Sequence, residues 1–197
     1  MTSAPAATAR ATTAPREQRT IPLLVVGIVL FLGSELMFFS SLFGMYFTLR
    51  AHAAAWTPQD VKVDFTRLLF TSILVASSGT MQMAVVRIKQ GNLASMRRWV
   101  WLSFAMGVVF LGGQTHEWLS LPFQIHTDAY GSAFYTMTGF HGLHVFAGLV
   151  LMLVILGRAA QGAYSGDEHA GVEVGAYYWH FVDIVWIALF STLFVIR

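Results

Sequence analysis

Five long apolar stretches, separated by short polar ones, leave this chain few possible folds. In 197 residues the stretches occupy positions 21–49, 68–86, 99–118, 133–156 and 174–196. A bilayer core of roughly 30 Å takes about 20 residues of helix per crossing, at about 1.5 Å per residue. Every backbone N–H and C=O inside hydrocarbon needs a partner from the protein, and a helix supplies one along its own length. The expected fold is therefore all-α: a polytopic bundle of five transmembrane helices forming one membrane domain over residues 21–197. That leaves no room for a soluble catalytic domain. With charged residues at 11%, the composition is that of a membrane protein.

Residues 1–20 are rich in Ala, Thr and Pro and carry Arg10, Arg16 and Arg19. They bury too little apolar surface to order themselves and are predicted to form a disordered cytoplasmic tail. The first apolar stretch starts too late and runs too long for a secretory signal, so it reads as a retained span. With five crossings, Arg10, Arg16, Arg19, Arg87, Lys89, Arg97, Arg98 and Arg158 share one side. The other side has Arg50, Lys62, Arg67 and Arg197. The excess of positive charge places the N-terminus in the cytoplasm and the C-terminus outside. These cations sit in the tail and at span ends, not on a basic face interleaved with aromatics, so nucleic acid is not an expected partner. Cysteine is absent, which excludes disulfides, thiolate nucleophiles and cysteine-held metal clusters.

The chemistry-bearing residues lie inside or at the ends of the spans. Glu35 sits in mid-stretch between Phe31 and Phe39. An isolated carboxylate there is costly, so it is expected to be protonated, paired or turned toward protein. Both a hydrogen-bonded structural acid and a proton-handling or lipid-contacting group remain open for it. His141 and His144 are three apart, as are His180 and Asp183, so each pair shares roughly one face of a helix. Such faces can hold a metal, with Asp183 orienting an imidazole. Interhelical hydrogen bonding is the commoner use of these residue types. Glu117 beside His116, and Glu173 near His169, fall close to span ends, where solvation or local pairing suffices. The methionines are scattered along the spans, as packing residues are. No phosphate loop, nucleophile turn or HExxH helix is present, and the chain is expected to have no catalytic, cofactor-binding or metal-binding residue of its own.

Two segments are more specific. Residues 130–145 read YGSAFYTMTGFHGLHV, and residues 169–186 read HAGVEVGAYYWHFVDIVW. Ser34-Glu35 followed by Met37-Phe38-Phe39, and Gln114 with Glu117, add two shorter matches. Together they resemble subunit III of the haem-copper terminal oxidases, in a short form with five helices instead of seven. Ser34-Glu35 and Phe140-His141 look closer to the bacterial cytochrome c type than to the quinol type, which stays the near alternative. An independent His-ligated metalloprotein or proton transporter using Glu35, His141, His144 and His180 is the alternative of another class.

The resemblance implies a subunit without redox centres that packs on subunit I, binds phospholipid, and sustains proton uptake and the durability of the active site. It implies haem and copper in subunits I and II, and cytochrome c or a cytochrome c domain as donor to the complex. It further implies a small additional subunit, a place in the bacterial plasma membrane and possible membership of a larger respiratory assembly. Glu35 matches the family's buried acid, a lipid or subunit I contact. Glu117, His141, His144, Glu173, His180 and Asp183 are expected to form a structural polar network.

Overall fold

The computed structural model describes residues 23–53, 56 and 64–196, and is helical throughout its regular parts. The helices are α1 (Leu23–His52), α2 (Phe65–Lys89), α3 (Leu93–Ser120), α4 (Ala129–Ala160) and α5 (Ala170–Phe190). α5 ends in a wider π turn, Ser191–Val195. Several helices overrun their apolar stretches because polar residues just outside them close the first turn. Asp64, Asn92 and Asp128 accept from Phe65 N, Ser95 N and Gly131 N at 2.8, 2.9 and 2.6 Å. The α2–α3 turn passes through Gly91, whose φ of 73° is open to glycine at little cost.

Among the described residues, four segments are long and apolar enough to cross a membrane: α1, α2, α4 and Ala170–Val195. The expected fifth, α3, is 28 residues long but holds no span-length window that is apolar enough. Gly112, Gly113, Gln114 and His116 dilute its second half. The expected disordered tail lies outside the described residues.

Helices α2 to α5 form a closed ring of neighbours, with α2 on α3, α3 on α4, α4 on α5 and α5 back on α2. α1 lies outside that ring along α4 and α5, and buries only Phe39 and Tyr46 fully. At the centre stands Trp179, with no exposed surface. A Cβ on Gly107 of α3 would come within 2.8 Å of its ring, and one on Gly148 of α4 within 2.7 Å. Two helices therefore close on the indole where they lack side chains, and its Nε1 donates to Ser77 Oγ of α2 at 2.8 Å. The orphan carbonyls of the terminal π turn are also used. Tyr46 donates to Thr192 O at 3.1 Å, Tyr130 to Leu193 O at 3.2 Å and Arg50 to Ile196 O at 2.9 Å.

These contacts sort the loops onto two ends. Lys89 pairs with Glu173 at 2.6 Å, which joins the end of α2 to the start of α5. Arg87, Lys89, Arg97, Arg98 and Arg158 thus gather at one end, and Arg50 and Arg67 at the other beside the π turn. That is the grouping the charge count assumed for the described residues. Lys62 and Arg197 fall outside them.

Candidate functional site

The buried polar residues divide into separate clusters instead of converging on one centre. In the first, Glu35 of α1 meets His144 of α4, Oε2 to Nε2, at 2.9 Å, with both side chains mostly buried. The other ring nitrogen of His144, Nδ1, lies 2.7 Å from the carbonyl of Phe140. A carbonyl only accepts, so Nδ1 carries a proton. The bridge to Glu35 then holds one further proton, as neutral acid with neutral imidazole or as carboxylate with imidazolium. Either way the pair is neutral as a unit, which is how an acid in a span becomes tolerable.

His141 lies one turn before His144 but faces elsewhere. It is fully buried and stacks on Trp186, centroids 4.8 Å apart and planes at 28°. Phe110 meets it edge-on, and neither ring nitrogen has a hydrogen-bond partner among the described residues. The two histidines expected to share a face are divided between the core and the α1 seam. Nearby, Gln114 donates to Thr138 O at 2.8 Å and ties α3 to α4.

A second cluster lies between α2 and α5. His180 Nδ1 is 3.0 Å from Ser78 Oγ, and Ser78 donates in turn to Asp183. His180 Nε2 is 3.2 Å from Gln82 Oε1. Asp183 therefore does not bond the imidazole directly, as a carboxylate behind a metal ligand would: Ser78 stands between them. At the span ends, Glu117 pairs with Arg67 at 2.7 Å, not with its neighbour His116. Glu173 takes Lys89 and, more distantly, His169 at 3.5 Å. No three His, Asp or Glu residues converge as a ligand set among the described residues.

Sequence reasoning missed Ser78, Gln82 and Arg67 as partners. Arg67 could have been found, since an antiparallel α2–α3 hairpin brings the start of one helix to the end of the other. Between α3 and α4 runs an open groove of about 530 Å3, lined by residues that include Leu111, Thr115, Trp118, Tyr135, Phe140 and Phe146.

The family model described as Cytochrome c oxidase subunit III matches residues 14–196. The chain is 42% identical over 174 residues to cytochrome c oxidase subunit 3 of Thermostichus vulcanus, covering 87% of each. It is 42% identical over 180 residues to the probable cytochrome c oxidase subunit 3 of Nocardia farcinica, covering 89% of each. With the probable subunit 3 of Mycobacterium tuberculosis it shares 41% over 203 residues, the whole of both chains.

Proposed function

Because the chain belongs to the cytochrome c oxidase subunit III family, we propose that it is the non-redox third subunit of a proton-pumping oxidase. The complex would pass electrons from cytochrome c to oxygen in aerobic respiration, in a bacterial plasma membrane. Haem and copper belong to subunits I and II in this reading, and this chain supports subunit I by packing and by holding lipid. The observation that carries it is the use made of the histidines. Both ring nitrogens of His144 and of His180 are engaged by this chain's own residues, so the atoms a metal would need are taken. The α3–α4 groove, with its largely apolar lining, suits an acyl chain. Glu35, Glu117, His141, His144, Glu173, His180 and Asp183 then act as helix-joining groups. The durability of the active site and the supply of protons to it depend on the packing they maintain.

The decisive measurement is purification from mild detergent. The chain is expected to come with a larger haem-bearing subunit, and to lose all haem and copper signal once stripped from it. Stoichiometric haem or metal in the isolated chain would overturn this reading.

Five crossings follow if α3 returns beside α2. The pair is joined by the tight Gly91 turn and fastened at its far end by Arg67–Glu117, so an α2 that spans carries α3 back with it. The clustered arginines and Lys89 then put the Gly91 turn in the cytoplasm, together with the N-terminus. The absence of native cysteine makes the check clean. Asn92→Cys should resist an impermeant thiol reagent in intact cells and react after lysis. Labelling before lysis would reverse the topology.

A further inference from the structure

Resting on that subunit reading, we infer that the outward face of α2 around Gln82, with His180 of α5 beside it, docks a transmembrane helix of a second subunit. The docked helix presents a polar group at membrane depth that hydrogen-bonds the Gln82 amide. Gln82 lies well inside α2, about 10 Å of helix rise short of its Lys89 end, and is exposed. Its carbonyl faces His180 Nε2, and the chain continues inward through Ser78 to the buried Asp183. That chain uses one end of the Gln82 amide and leaves the other without a partner among the described residues. Hydrocarbon offers no acceptor, and an unsatisfied amide at that depth is unfavourable.

Four exposed hydroxyls elsewhere on the helices avoid this problem. Ser34, Ser40, Ser72 and Thr115 return their hydroxyls to carbonyls of their own helices at 2.7, 2.7, 2.8 and 2.9 Å. They ask nothing of their surroundings, whereas Gln82 does.

A second observation concerns shape. Val75, Gly79, Gln82 and Val86 follow one another at spacings of four, three and four, so they form one stripe along α2. Val75 and Val86 are 40% and 36% exposed, and a Cβ on Gly79 would meet nothing within 4 Å. Internal packing therefore does not require that glycine. A missing side chain next to Gln82 lets a second helix bring its backbone and a polar group close to the amide, as small residues do between membrane helices. A lipid tail would fill the notch but leave the amide unpaired.

The experiment uses the intact oxidase, with a photoreactive phenylalanine analogue at position 86 and, as control, at position 153 on the outer side of α4. Position 86 is expected to crosslink to a peptide of another membrane subunit, and position 153 to lipid. Gln82→Leu, which keeps bulk and removes the amide, should leave several-fold less of the chain on the complex at the detergent concentration where half the wild type is retained. Lipid adducts alone at position 86 in an assembled oxidase, or retention of Gln82→Leu equal to wild type, would overturn the assignment while the subunit reading stood. Failure of the unmodified chain to co-purify with any oxidase subunit would sink the subunit reading itself, and the docking face with it.

Discussion

Replacing Gly148 with valine is expected to release this subunit from the heated, detergent-solubilised oxidase several degrees below the wild type. The reason is local and steric. A Cβ at position 148 would sit 2.7 Å from Trp179 and 3.2 Å from Tyr178. The indole has no direction of retreat, because Gly107 of α3 holds its other edge and Ser77 fixes its nitrogen. Overpacking of this kind costs about 1–3 kcal/mol, and a branched side chain belongs at the upper end. Glycine to alanine within a helix gains up to about 1 kcal/mol where space is free. Gly157, also in α4, has nothing within 4 Å of its added Cβ, so Gly157→Ala should be neutral or stabilising. The pair of variants separates backbone propensity from packing. Shrinking the ring should also restore room: Gly148→Val with Trp179→Phe should be less damaging than the sum of the two single changes, because the sites touch. Equal loss from Gly148→Val and Gly157→Ala would mean that helix flexibility, not the grip on Trp179, is what the glycine provides.

That grip shows where sequence reading stops. The apolar stretches announced themselves by length, and the structure places helices on all of them, because lipid leaves each stretch one way to satisfy its backbone. α3 is long enough to cross but not apolar enough over any span-length window, since Gly107, Gly113 and Gln114 serve contacts with its neighbouring helices instead of with lipid. Pairing was another matter. Ser78 with Asp183, and Glu35 with His144, join positions about a hundred residues apart, and which of them meet depends on how each helix is rotated about its axis. Three residues along a helix turn it by about 300°, so His141 and His144 point about 60° apart. In the middle of a face that difference is small. Here the boundary between the core and the α1 seam falls inside it, and one histidine stacks on Trp186 while the other reaches Glu35. Asp183 and His180 were correctly placed on one face, but Ser78 came from a helix whose rotation the sequence did not reveal.

For Glu35, the expected outcome is that glutamine substitutes almost without effect and alanine does not. In the native pair one proton lies between Oε2 and His144 Nε2, while Nδ1 donates to Phe140 O. Glu35→Gln puts an amide N–H opposite the free lone pair of a neutral imidazole, so the link between α1 and α4 survives without a titratable acid. Glu35→Ala removes the partner and leaves Nε2 facing a largely apolar seam formed by Phe38 and Phe39. An orphaned polar group of this kind costs about 1–3 kcal/mol, which is roughly a 5- to 150-fold change in an equilibrium. α1 has few other anchors, with Phe39 and Tyr46 its fully buried side chains, so that loss falls on the least secured helix of the bundle. Oxidase carrying Glu35→Ala should begin turnover at the wild-type rate and decay faster, with this subunit lost at lower detergent. His144→Ala should reproduce the effect, and the double variant should be no worse than the more damaging single one, because each removes the same bridge. Steady-state oxygen consumption followed from the first turnovers, with subunit content measured on the same sample, distinguishes this from direct proton transfer. If Glu35→Gln slows the initial rate while the complex is fully assembled, the shared proton moves during catalysis and the bridge is more than a fastener.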